Sequence, residues 1–306
     1  LYFDMKNKDL LPVRNYIGYF FLCITIVLIS KIVFSMFAIG FIDEVWDLNS
    51  IEIFNDLTTK KFSFIYAHKA LAFFDQIGTF LIPSFIFLIL IKSFSIKYRK
   101  VKRTDLIKLS LYFIILLSIT QLLFLFTDLI GIDFLPLELS KFLENQQEFN
   151  TKLQEGFITS SYPGFLFNIL LLAIIPAFGE ELFFRGILQK LCIGIFKNNI
   201  IGIIITSFLF GVLHFQIDNL LSIIFASILL GLIYDYSNNL LLTIILHFAF
   251  NLFALLSMQA IKINLISEIQ FESIVNYVII PAGVIIGIIV LAKRIFWKKE
   301  LLLSID

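Results

Sequence analysis

Charge is scarce in this chain of 306 residues. Only 15% are Asp, Glu, Lys or Arg and the net charge is +1, which excludes the basic field that holds nucleic acid. Cysteine is scarcer still. Cys23 and Cys192 both fall in or beside apolar segments, so they read as small hydrophobes rather than as a disulfide or metal framework. There are three histidines and no His-Glu-x-x-His pair of the kind that holds zinc. Gly-x-Ser-Gly and Gly-x-Gly-Asp elements are missing too, as is the charge ladder of a voltage sensor.

What fills the chain instead is hydrocarbon. The residues are 59% hydrophobic, 37 are Phe, and mean hydropathy is +0.95, well outside the range of a soluble domain. A membrane-spanning helix needs about 20 apolar residues. Eight stretches approach that: Asn15 to Phe41, Ala70 to Phe94, Leu106 to Ile130, Pro163 to Phe196, Asn199 to Phe215, Leu220 to Tyr234, Leu240 to Met258 and Val275 to Trp297. The expected fold is an all-α polytopic membrane bundle of about eight transmembrane helices, forming one integral membrane domain over residues 5–306. Leu1-Tyr2-Phe3-Asp4 ahead of Met5 reads as a remnant before the native start.

Basic residues cluster before the first span (Lys6, Lys8, Arg14), after the second (Lys97, Arg99, Lys100, Lys102, Arg103, Lys108), near the fourth turn (Lys190, Lys197) and at the chain end (Lys293, Arg294, Lys298, Lys299). Eight spans place all four clusters on one side, so the positive-inside rule expects both termini in the cytoplasm. The Ile, Phe and Lys bias points to a bacterial inner membrane. Leu139, Phe142, Leu143 and Phe149 in the polar segment 133–161 suggest an amphipathic helix on the opposite surface.

One stretch interrupts the apolar pattern. Glu180-Glu181-Leu182-Phe183-Phe184-Arg185 puts two carboxylates and a guanidinium in the middle of a span, where ionised groups are costly and usually face the bundle interior. Glu181 and Arg185 are four apart and share a helix face, whereas Glu180 is rotated off it. Glu180 and His214 lie equally far from Lys197, so a helical hairpin turning there brings both to one depth, roughly 25 Å from the turn. His247 and Asn251 share a face of the seventh span. Pro176 removes a helical hydrogen bond just before the acidic pair.

Carboxylates, histidines and an asparagine converging in a membrane suit hydrolysis. A carboxylate takes a proton from water, a histidine orients that water, and two donors stabilise an oxyanion; a neutral His247 would donate from one ring nitrogen and Asn251 from its amide. Glu180, His214 and His247 are alternatively a three-ligand zinc set with an open position. A purely structural Glu181–Arg185 bridge is the plainer reading of the acidic pair. Asp75, Gln76 and Asp128 read as interface-reaching or capping residues, and the Ser227/Gly231 and Gly283/Gly287 patterns as close helix packing.

Taken together, Glu180-Glu181-x-x-x-Arg185, Phe210-x-x-x-His214 and His247-x-x-x-Asn251 resemble the three motifs of the CAAX protease and bacteriocin-processing family, whose members are glutamic intramembrane proteases. The resemblance covers about residues 163–258. It implies metal-free and cofactor-free peptide hydrolysis, with water activated by Glu180 and His214, an oxyanion hole from His247 and Asn251, and Glu181 and Arg185 in support. It implies a membrane-associated peptide or protein as substrate and leaves room for a stable membrane-protein partner. A non-catalytic scaffold or immunity protein that keeps the bundle is the alternative, and a transporter a third.

Overall fold

The structure is a computed structural model that describes residues 13–293 apart from 93, 131–135, 160 and 217–218. The expectations for residues 1–4, for Lys6 and Lys8, and for Arg294, Lys298 and Lys299 fall outside the described residues. Within them the chain is a helical bundle: α1 (Val13–Trp46), α2 (Ser50–Thr58), α3 (Ile65–Leu90), α4 (Arg103–Ile130), α5 (Leu137–Phe157), α6 (Tyr162–Phe196), α7 (Asn199–Leu213), α8 (Leu220–Ser237), α9 (Leu240–Lys262) and α10 (Glu268–Val290). Seven of the described helices are long and apolar enough to cross a membrane. The expected fifth span is the exception. With 15 residues α7 rises only about 22 Å, short of a hydrocarbon core of about 30 Å.

Helix α6 is the centre of the bundle. Half of its apolar window is buried, against 17% for α1 and α10, so α6 faces protein where those two face outward. It packs against α1, α3, α7 and α9, while α4 gathers α8, α9 and α10. The main core joins Phe183, Phe184, Ile187 and Leu191 of α6 to Phe80 and Phe87 of α3, Cys23 of α1 and Phe210 of α7. Both cysteines are buried and unpaired, in keeping with their reading as hydrophobes. Gly283 bears out its packing role, since a Cβ there would meet that of Ser118 on α4, whereas Gly287 faces open space.

The irregularity expected at Pro176 takes the form of a π turn. Leu170–Ile174 is such a turn, and Ile77–Leu81 and Val275–Ile279 likewise precede Pro83 and Pro281. Proline clashes with the carbonyl four residues back and cannot donate to it, and a wider turn accommodates both problems. A fourth π turn, Phe184–Leu188, has no proline and contains Arg185. Wide turns without proline are frequent at functional positions.

The two ends of the bundle differ in chemistry. At one end the basic loop after α3 meets the α8–α9 turn, with Leu240 N–H donating to the Lys97 carbonyl and Arg99 N–H to Asn239. Lys190 near the end of α6 reaches the Ser95 carbonyl there, so the second and third basic clusters share an end of the bundle. At the other end α5 forms the expected amphipathic helix. It is tied down by Lys60 to Glu148 and by Lys69 Nζ, 2.8 Å from the Phe157 carbonyl. Lys152 and Lys60 hold the exposed Glu148 carboxyl down to about 2.

Beneath α5, Asp56 of α2 and His68 of α3 form a buried pair at 2.7 Å. Burial alone would raise the Asp56 carboxyl, but His68 and the backbone N–H groups of Ser63 and Phe64 together hold it below its usual value. Such a carboxylate contributes stability that is complete above its unfolded value of about 3.9 and is lost as pH falls through the lower folded value. Asp56→Ala is therefore expected to cost about 3 kcal/mol by removing the acceptor of the buried His68 ring and of the Ser63 and Phe64 N–H groups, and to remove the part of the acid destabilisation below about pH 4 that the wild type owes to this group. Unfolding curves of both proteins against pH test this. Parallel curves at every pH contradict it.

Candidate active site

The acidic pair lies on α6 in a helical stretch buried almost completely, with Glu180 at 4% and Glu181 at 0% exposure. Successive helical residues diverge by about 100°, so the two carboxylates enter different surroundings. Glu181 points into a closed network. Its Oε1 accepts from Arg185 Nη1 at 2.8 Å and from His247 Nδ1 at 2.9 Å. Arg185 also donates through Nη2 to the carbonyl and hydroxyl of Ser227 on α8, at 3.0 and 2.9 Å, and lies 5.0 Å over the Phe210 ring. One turn on, Gln189 donates to the Gly231 carbonyl. Ser227 and Gly231 thus do more than allow close packing, because their small side chains let α8 approach near enough to satisfy α6's buried donors.

Glu180 faces the histidines. Its Oε2 lies 3.8 Å from His214 Nε2 and 3.9 Å from His247 Nε2, too far for direct hydrogen bonds. The equal spacing from Lys197 is borne out as a shared depth, and Lys197 itself takes the left-handed conformation at the hairpin turn. His214, however, is not inside a span. It caps the C-terminus of α7, and its Nδ1 donates to the Phe210 carbonyl at 2.7 Å, one of the acceptors a helix end leaves open. With Nδ1 so engaged, the neutral ring presents Nε2 to Glu180 as an acceptor. The His214 side chain is 26% exposed against 5% for Glu180, so the cluster opens on the His214 side.

His247 corrects one expectation. Its Nδ1 hydrogen goes to Glu181, whose pairing with Arg185 keeps it an acceptor, so the nitrogen with which a neutral ring would donate is engaged. Nε2 becomes a donor only in the imidazolium. Asn251 is half-buried one turn along α9, and the hydrogen bonds among the described residues leave it outside the network. Gln76 corrects another. Rather than reaching an interface, it donates from Nε2 to Glu180 Oε1 at 3.3 Å. Its neighbour Asp75 turns the other way to pair with Lys31. Nothing in the local sequence separates the two, because only the packing of α3 on α6 decides which faces in. Among the described residues no three His, Cys, Asp or Glu side chains are arranged to hold a metal ion.

The network implies a stability test. Arg185→Met strands the Glu181 carboxylate in a dry interior and is expected to cost about 3–5 kcal/mol, read as a lowered Tm in detergent. Arg185→Met with Glu181→Gln should recover part of the loss, since no unpaired charge remains. Additive losses would show that the two groups do not act as a pair.

Comparison with curated proteins and with solved structures gives no match. Residues 162–253 match the family model described as type II CAAX prenyl endopeptidase Rce1-like, close to the 163–258 read from the motifs. The match runs from the start of α6 into α9 and contains Glu180, Glu181, Arg185, His214, His247 and Asn251. It bears out the family resemblance and implies a membrane-embedded protease. Residues 162–253 are therefore similar to the Rce1-like type II CAAX prenyl endopeptidases, and they lie within an integral membrane helical bundle.

Proposed function

We propose that this protein is an intramembrane glutamic endopeptidase that hydrolyses a peptide bond of a membrane-associated peptide or protein, of the prenylated Cys-aliphatic-aliphatic-X class that the family description indicates. The observation that carries this reading is the near-equal separation of Glu180 Oε2 from two imidazole Nε2 atoms, 3.8 and 3.9 Å. A water oxygen about 2.8 Å from the carboxylate and from His214 fits that spacing.

Glu180 takes a proton from this water while His214 Nε2 accepts its second hydrogen and aims the oxygen. The new C–O bond moves the carbonyl electron pair onto oxygen. Collapse breaks the C–N bond, and the proton held by Glu180 passes to the departing amine. The His247 ring and the Asn251 amide stabilise the oxyanion. Glu181 contributes by holding His247, and Arg185 by holding Glu181. Under the positive-inside rule the basic end of the bundle is cytoplasmic. Glu180, about 16 residues from that end of α6, then sits roughly 24 Å along the helix, inside the bilayer.

A quenched, prenylated Cys-aliphatic-aliphatic-X peptide presented to the protein in nanodiscs tests the reading. Glu180→Ala is expected to lower kcat by about 10³-fold or more with the bundle still folded, and His214→Ala by about 10²-fold. Cleavage that survives Glu180→Ala removes that carboxylate from the mechanism. His247 gives a separate prediction. His247→Ala should lower kcat more than it weakens substrate binding, and an unchanged kcat with weakened binding would assign the ring to recognition.

A further inference from the structure

We infer that Gln76 is a positioning residue for the Glu180 carboxylate, an assignment that rests on Glu180 being the base. Gln76 belongs to α3, outside the matched segment 162–253, so the first half of the chain supplies a polar group to a site otherwise built by the second. Its Nε2 lies 3.3 Å from Glu180 Oε1, and its own Oε1 is buried without a protein partner. The contact is one-sided. It engages Oε1 and leaves Oε2, the oxygen facing both histidines, without a protein hydrogen bond.

Local packing explains how α3 gets there. A Cβ at Gly179, the residue before Glu180, would sit 3.5 Å from that of Phe80 and 3.7 Å from the backbone nitrogen of Leu81. The two helices therefore meet closely at this level. Phe80 adds ring contacts to Phe183 and Phe184, each at 5.7 Å. The π turn Ile77–Leu81 starts immediately after Gln76, which changes the rotation of the helix between Gln76 and the Phe80 anchor.

The residue type suits the task. Arg185 locks Glu181 into an ion pair, which fixes that carboxylate in place. An amide donor orients Glu180 with a neutral hydrogen bond and leaves its charge uncompensated, as a base requires. The two adjacent carboxylates thus receive opposite treatment from their neighbours, one neutralised from α6 and one only steered from α3.

Peptide cleavage in nanodiscs, with Glu180→Ala as the reference, tests the assignment. Gln76→Met keeps the bulk and removes the donor; kcat is expected to fall about tenfold with KM within about twofold and Tm unchanged. Gln76→Glu keeps the shape but sets a second carboxyl beside Glu180, and since such pairs share a proton the pH–rate profile should move to higher pH. A packing role would leave that profile in place. Wild-type kcat in Gln76→Met and a wild-type profile in Gln76→Glu, with Glu180→Ala inactive, would overturn the inference and spare the reading of Glu180. Activity in Glu180→Ala would overturn that reading itself. A substrate-free arm compares thermal unfolding of Gln76→Met, Glu180→Gln and the double variant. Non-additive Tm changes are expected, and additive ones count against the contact.

Discussion

The bundle depends on a cation buried at its centre. Arg185 is 1% exposed, and an unpaired guanidinium in a membrane interior would be prohibitively costly. Its surroundings meet that demand from three helices at once: a carboxylate from α6, a backbone carbonyl and a hydroxyl from α8, and the Phe210 ring from α7. Through Glu181 the same network reaches His247 on α9. The charge is therefore a constraint on assembly, because α6, α7, α8 and α9 must all be in place before it is satisfied.

That constraint also divides the acidic pair into two roles. Glu181 is held by groups that fix its position and its charge. Among the described residues Glu180, one residue earlier, receives the Gln76 amide alone and otherwise looks toward two imidazoles at nearly equal distance. A rigid buried layer lies beneath a less committed one, and the less committed layer is the one that opens through the partly exposed His214. Binding energy placed in the lower layer keeps the upper groups oriented without neutralising them, which is what pre-organised acid–base chemistry requires.

Much of this was legible in the sequence because helical periodicity carries it. Glu181 with Arg185 and Phe210 with His214 are four-residue pairs on one face, and the structure joins both as hydrogen-bonded contacts, the second through the Phe210 carbonyl. The common depth of Glu180 and His214 followed from counting residues on either side of the Lys197 turn. What escaped depended on which helix lies beside which. Gln76, Ser227 and Gly231 sit in ordinary apolar helices, and only tertiary packing turns them toward Glu180, Arg185 and Gln189. The end of α7 at Leu213 was hidden because the apolar run continues through Phe215, whereas the His214 ring itself supplies the cap. The tautomer of His247 was equally invisible, since it is set by a carboxylate 66 residues away.

The central claim is that Glu180 is the base of a membrane-embedded protease, and the termini of membrane proteins test it most directly. Cells carrying the native chain or Glu180→Ala at equal expression are compared by mass spectrometry of all membrane-protein termini. The account predicts new C-termini with the native chain that vanish with the variant, and those termini name the substrate. Identical termini in both, with each protein folded in the membrane, would contradict it and favour a bundle that binds without cutting.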